Sequence, residues 1–218
     1  MKKRQQKCNC YYSAKARPPH RRILKMTLPE HHKQAQIKTG VIGYPVSHSL
    51  SPLIHSHWIH RYGFNGLYQT IEIVPDRFEG SVGQLITQGF TGFNVTIPYK
   101  QDIIALCDQL DETAQQIGAV NTVSISAAGK LTGYNTDSFG FTQSVLAHGL
   151  GFDPANETAL VLGAGGAARA VVYGLKTMGF GKIIITNRTR TRAEDIAKLF
   201  SLKTCAWEQR ESVLNGYR

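Results

Sequence analysis

A lysine and an aspartate that can meet form a proton-transfer pair, and this 218-residue chain offers one. Lys100 closes the run GFNVTIPYK (92–100), and Asp137 opens a helical pattern in GYNTDSFG (133–140). In the first run Phe93, Val95 and Ile97 alternate with Asn94 and Thr96, the period of a strand, and Pro98 cannot continue its ladder. A strand over 93–97 would thus deliver Thr96 and Lys100 to one sheet end, where parallel α/β sheets bind their ligands. GAVNT adds Asn121, and GYNTD adds Asn135. Amides and hydroxyls suit a sugar-like polyhydroxy ligand, and the Lys100–Asp137 pair could move a proton while a carbonyl is reduced. Each residue taken singly also fits capping or turn chemistry. Asn94 is read as pinning the local backbone and is left outside the site.

GVIGYPVSHSLSPLIH (40–55) carries a second chemical possibility. Ser51 followed by Pro52 reads as a serine cap with proline at the first helical position. Ser49 lies just outside. Two hydroxyls at a positive helix end suit a small carboxylate; a cap alone is the other reading, and both stand.

LVLGAGGAARA (160–170) sets Gly163, Ala164, Gly165, Gly166 and Ala167 at a strand-to-helix turn in the pattern G-x-G-G-x-x-R. Glycine lets backbone amides at the helix start approach a pyrophosphate, although a tight turn with close packing would use the same residues. The next strand sharpens this reading. NAD-binding folds usually end it with an acid that accepts the ribose hydroxyls. IIITNRTRTRAED (183–195) instead supplies Asn187, Arg188, Thr189 and Arg192. Guanidinium groups hold a 2′-phosphate by charge-assisted forks. At about 1.5–3 kcal/mol per charged hydrogen bond, two arginines could favour NADP(H) over NAD by about a hundredfold or more.

The elements that must position these groups alternate. Strands are expected at 39–43, 67–74 and 93–97, with helices at 51–63 and from Phe78. Helical stretches follow near 99–107 and 111–117, then extended AVNTVSIS and KLTGYNT, then a helix at 137–149. After the turn-rich GFDPANET, a new unit reads as strand 159–163, helix 165–179, strand 182–187 and helix 192–200. The fold class is therefore α/β with a mostly parallel sheet covered on both faces. Two domains are expected, residues 36–150 and an incomplete Rossmann-type domain at 151–218. About 60 residues follow Ala159, too few for the usual five or six strands, so the chain reads as a C-terminally truncated fragment.

The formal net charge of +10 is unevenly placed. Nine of the 25 basic residues, and no acidic residue, fall in residues 1–25; the rest is close to neutral. A basic tail on a neutral body does not make a nucleic-acid-binding fold. Met26 follows the tail directly, so an upstream extension or an early start codon accounts for it, with a targeting peptide as the next option. Residues 1–35 are read as a basic, disordered extension. No apolar run reaches the roughly 18 residues of a membrane span. Cys8, Cys10, Cys107 and Cys205 form no disulfide framework, which suits a reducing cytoplasm. Cys8 and Cys10 with His20 could bind metal, but a disordered tail is preferred and no metal is called for.

Taken together, these stretches resemble the shikimate/quinate dehydrogenase superfamily, from about Thr39 to Ser212. GYPVSHSLSP is similar to its carboxylate-binding motif, NVTIPYK to its catalytic segment, GAVNT and GYNTD to its ring-hydroxyl ligands, and GAGGAAR and NRTRTRA to its NADP-binding segments. The resemblance implies a substrate-binding domain followed by an NADP-binding one. It implies NADPH-dependent, reversible reduction of 3-dehydroshikimate to shikimate on the way to chorismate and the aromatic amino acids. Ser49 and Ser51 would bind the carboxylate, Thr96 would be a substrate ligand, Lys100 the catalytic lysine, and Asn121 and Asp137 ligands of ring hydroxyls. The alternatives are a quinate/shikimate enzyme of broader specificity and an inactive NADP-binding chain. The expected partner is a small molecule, with neither nucleic acid nor membrane; a homodimer is an open arrangement. The family's later segments, including a glutamine-bearing stretch, have no counterpart here.

Overall fold

In the computed structural model, which describes residues 36–215, two sheets carry the chain. The readings for residues 1–35, the Cys8, Cys10 and His20 option included, lie outside the described residues.

The first sheet begins with β1 (Ile37–Gly43), α1 (Ser51–Arg61), β2 (Gly66–Glu72), α2 (Phe78–Thr87) and β3 (Gly92–Val95). It continues through β4 (Gln109–Leu110), α3 (Glu112–Ile117), β5 (Thr122–Ile125) and β6 (Leu131–Tyr134). The strand order is β2-β1-β3-β5-β6-β4. β1 is central to a parallel trio with β2 and β3, β4 runs parallel to β6, and β5 is antiparallel to both its neighbours. Ile42, Phe93, Val95, Val120 and Val123 are buried with Phe78, Val82 and Leu85 of α2. Burying such side chains is worth about 1.5–3 kcal/mol each, which sets the sheet's register.

β3 ends two residues earlier than its alternation predicts. Ile97 is 59 % exposed, because the chain turns there: the Tyr99 amide donates to the Thr96 carbonyl at 3.0 Å. The turn drives Tyr99 inward, where its ring stacks on Phe78 at 4.2 Å and its hydroxyl donates to the Ile73 carbonyl. This buried tyrosine anchors the stretch that holds Thr96 on one side and Lys100 on the other. Gly43 makes room for it, since a Cβ there would lie 2.5 Å from the Thr96 methyl.

α4 (Asp137–Ala147) leads to the second sheet, built of β7 (Thr158–Leu162), α5 (Gly166–Thr177), β8 (Lys182–Thr186), α6 (Arg190–Phe200) and β9 (Lys203–Thr204), with α7 (Arg210–Asn215) last. Its order is β7-β8-β9, all parallel. Val161, Val172, Ile183, Ile185, Ile196 and Phe200 form its core. The fold is α/β with mostly parallel pairing, as the alternation predicts. Ala170 of α5 packs with Ile117 and Ala119, which joins the two sheets next to the loops carrying Asn121 and Lys100.

Candidate active site

Lys100 and Asp137 meet: Nζ donates to Oδ2 at 2.5 Å, with the lysine side chain 13 % exposed and the aspartate 31 %. The turn before α4 sets the carboxylate. Buried Asn135 donates to the Ala119 carbonyl at 2.8 Å, and its Oδ1 accepts the Asp137 amide at 3.1 Å. Asn121, itself buried, donates from Nδ2 to Asp137 Oδ1 at 2.7 Å and accepts the Thr136 amide on Oδ1 at 3.0 Å. The aspartate is thus held from three sides, by a backbone cap, an amide and an ammonium.

Ser51 is not the helix cap it was expected to be. α1 starts at Ser51 itself, with Leu50 as the flanking residue and no side-chain cap from it. Ser49 takes the capping part, its Oγ accepting the Ser51 amide at 3.2 Å. Ser51 Oγ instead lies beside the Tyr68 phenol. Burial pushes that phenol up to about 12, and a hydrogen bond with Ser51 partly opposes the rise. Thr96 sits at the end of β1–β3 pairing, its amide bonded to the Ile42 carbonyl at 2.9 Å.

On the second sheet, the turn Gly163–Ala164–Gly165 leads into Gly166 and Ala167 at the start of α5. Asn187 braces it by accepting the Ala164 amide at 3.2 Å and donating to the Thr189 carbonyl at 2.9 Å. Gly166 is a second place where the two halves touch. A Cβ there would lie 3.2 Å from Lys100 Cδ, so glycine lets the turn close on the lysine stem. A cleft of about 500 Å³ opens between Ile97, Pro98 and Gln101 on one side and Ala164, Gly165, Gly166 and Arg192 on the other. Arg192 lines this cleft, and so does Gly166, whose other contact is the Lys100 stem. Arg190 is tied to Glu194 at 2.7 Å. Among the described residues, no ion pair engages the guanidinium of Arg188 or Arg192; Arg188 lies over the Trp207 ring at 5.5 Å.

Four side chains near these groups were outside the predicted set. Asn94 does brace backbone, donating to the Asn121 carbonyl at 3.3 Å, but its amide also accepts from Tyr68 at 2.7 Å and donates to Thr122 at 3.0 Å. Tyr68 could have been noticed as an aromatic with a polar tip on the strand beside β1. Arg169, the last letter of G-x-G-G-x-x-R, lines the cleft; burial pushes its guanidinium down while Asp195 opposes this. Trp207 had no local signal at all. Among the described residues there is no cluster of three or more His, Cys, Asp or Glu able to hold a metal, and no helix long and apolar enough to cross a membrane.

Fold and site define a class: a two-sheet α/β protein in which a glycine-rich strand–helix turn faces a lysine–carboxylate pair. Residues 41–123 match the family model of the shikimate dehydrogenase substrate binding domain, and residues 146–217 that of shikimate / quinate 5-dehydrogenase. The chain belongs to the shikimate/quinate dehydrogenase family. It is 45 % identical over 175 residues to a shikimate dehydrogenase (NADP(+)) of Acidiphilium cryptum, covering 80 % of this chain and 62 % of that relative. The structure of Thermus thermophilus shikimate 5-dehydrogenase in complex with NADP(H) and shikimate superposes with a TM-score of 0.70 at 38 % identity, covering 79 % of this chain and 64 % of that one. Quinate dehydrogenase from Corynebacterium glutamicum, in complex with NAD, gives 0.75 at 30 % identity, covering 84 % and 68 %. The chain thus spans about 62 % of the length of the curated relative it matches.

Proposed function

We propose that this chain is the substrate-binding part and the first part of the NADP-binding domain of a shikimate dehydrogenase, the two meeting near residue 150. The reaction is the reversible, NADPH-dependent reduction of 3-dehydroshikimate to shikimate, a cytoplasmic step toward chorismate and the aromatic amino acids. One observation carries this reading: the Lys100–Asp137 pair, at 2.5 Å, packs against Gly166 of the glycine-rich turn. The fit of NADP(H) rests on Arg188 and Arg192, whose guanidinium groups have no carboxylate partner among the described residues, and on a β8 end that carries Asn187 where NAD-binding folds usually place an acid. Gly163, Ala164, Gly165, Gly166, Ala167, Asn187, Arg188, Thr189 and Arg192 would hold it. When bound, the cofactor supplies the hydride that reduces the carbonyl carbon.

The chain's own residues do the rest. Lys100 protonates the oxygen that becomes the hydroxyl, or removes that proton in the reverse direction. Asp137 orients the ammonium with Oδ2 and can receive a substrate hydroxyl beside it, while Asn121 fixes Oδ1. Ser49 and Ser51 present hydroxyls to the ring carboxylate at the start of α1, and Thr96 offers another at the end of β3. Proton transfer by a placed group contributes about 10²–10⁴ in rate.

A second reading, a quinate/shikimate enzyme of broader choice, is favoured by the likeness to the Corynebacterium quinate dehydrogenase. Absorbance at 340 nm with shikimate or quinate, each with NADP or NAD, separates the two. A kcat/KM highest for shikimate with NADP is expected. Preference for quinate with NAD would replace the first reading by the second, and no turnover with any pair would leave a non-catalytic NADP-binding chain.

A further inference from the structure

Tyr68 stands at the far end of a run of hydrogen bonds that finishes on the lysine–aspartate pair. Its O–H donates to Asn94 Oδ1 at 2.7 Å, and Asn94 Nδ2 donates to Thr122 Oγ1 at 3.0 Å. Thr122 Oγ1 donates to Asn121 Oδ1 at 3.0 Å, Asn121 Nδ2 donates to Asp137 Oδ1 at 2.7 Å, and Lys100 closes on Oδ2. The donors from Tyr68 to Asn121 all point the same way, toward the carboxylate. An amide can be turned over, and a hydroxyl can donate or accept. The direction of such a run is therefore set at its ends, together with the backbone bonds that Asn94 makes to the Asn121 carbonyl and that Asn121 accepts from the Thr136 amide.

One end is the Asp137 carboxylate, which only accepts. The other is a phenol that stays protonated and so has a proton to give. Tyr68 is held for this: it is buried, and the His55 imidazole stacks flat on it at 4.1 Å with 5° between the planes. Ser51 lies beside the same hydroxyl.

We propose that Tyr68 is a positioning residue, whose O–H helps to fix the orientation of the Asn94 and Asn121 amides and so presents the polar groups from Ser51 to Asp137 in one hydrogen-bonding polarity. The inference rests on the proposed function for its substrate, a small polyhydroxy carboxylate, but the orientation of the amides is a property of the chain alone. Removing the O–H leaves the Asn94 carbonyl without its donor, so that this amide is held through Nδ2 alone, by the Asn121 carbonyl and Thr122 Oγ1. Any loosening of Asn94 passes through Thr122 to Asn121, which keeps its bonds to Asp137 and the Thr136 amide.

The test uses Tyr68→Phe, which keeps the ring and its stack on His55, and Thr122→Val, which cuts the run in the middle. Shikimate and NADP affinities of the 218-residue chain are measured by titration, and the Asn94 and Asn121 side-chain amides by ¹H–¹⁵N NMR. Tyr68→Phe should weaken shikimate about tenfold, the loss of one hydrogen bond's worth of order, while NADP affinity stays within twofold. It should move both amide resonances, and with Thr122→Val already present it should move Asn94 alone, the non-additivity expected of a connected run. If wild type binds shikimate and Tyr68→Phe binds it equally, or if NADP weakens to the same degree, the positioning role is overturned and the proposed function is untouched. If wild type binds no shikimate, the proposed substrate fails, and the amide resonances still decide: an Asn121 amide unmoved by Tyr68→Phe overturns the inference by itself.

Discussion

The two halves of the candidate site, one on each sheet, are built by opposite means. On the first sheet, Lys100, Asp137, Asn121, Asn94 and Tyr68 satisfy one another, and no buried side-chain polar atom among the described residues lacks a partner. On the second, backbone and Asn187 shape the turn, while Arg188 and Arg192 stay exposed and free of carboxylates. Half-buried polar groups must be paired or they cost stability; exposed guanidinium groups are hydrated and can wait for an anion. The first arrangement is set before any ligand arrives, whereas the second acquires its charge-assisted bonds only with one. Substitutions on the first side should therefore cost stability as well as chemistry, and those on the second should cost recognition only.

Lys100→Ala should strain this contrast most. With the proton donor gone, kcat should fall about 10²–10⁴-fold while KM moves by a few-fold, read from initial rates at 340 nm. Near wild-type turnover would remove Lys100 from the chemistry. Asp137 would stay paired to Asn121, so the urea midpoint should shift much less than the rate.

Arg188→Asp comes next and belongs to the other side. Losing one charge-assisted contact of about 1.5–3 kcal/mol should cut the preference for NADP over NAD about 10–100-fold. Stability should stay within about 0.5 kcal/mol, as for an exposed position. Unchanged discrimination between the cofactors would break the clamp. A large fall in urea midpoint would instead show that Arg188 serves the fold through Trp207.

Asn121→Leu probes the paired side without touching the lysine. Asp137 Oδ1, the Thr136 amide and the Thr122 hydroxyl would each lose a partner. A destabilisation of about 1–3 kcal/mol is expected from leaving such groups unsatisfied, measured as a lower urea midpoint at constant m-value. A stability equal to wild type would mean that water replaces the amide, and the contrast between the two sides would lose its basis.

How much of this was legible in the sequence follows the same division. Lys100, Asp137, Asn121 and the glycine-rich turn could be placed because strand period and helix starts carry them to one sheet end. Their partners could not, because Tyr68 and Asn94 are 26 residues apart and meet only once β1 lies between β2 and β3. Periodicity also overran at Ile97: alternation reports residue type, whereas the turn at Thr96 exists because Tyr99 finds Phe78. Ser51 was read as a cap from local order alone, and a competing acceptor two residues earlier took that place. Arg188 and Arg192 were named and Arg190 was not; a helix turn ties Arg190 to Glu194.

The smallest expected effect lies at the outer end of the paired side. Burial against Tyr68 holds the His55 pKa below its ordinary 6.5. The unfolded chain then takes up a proton more readily than the folded one, so ∂ΔG of unfolding with pH is positive in this range. The stability contributed by a neutral His55 is fully present above about pH 6.5 and is lost as pH falls from there through the folded value. His55→Phe keeps a ring on Tyr68 and removes the titration. The difference in Tm between wild type and His55→Phe should therefore shift in the variant's favour from pH 7.5 to pH 5.0, by an amount small enough to need both proteins scanned in the same buffers. A difference that stays constant with pH would mean that the imidazole can charge without leaving the phenol, and that the stack does not exclude water from Tyr68. Arg188→Asp, on the exposed half of the site, should leave this acid limb where it is.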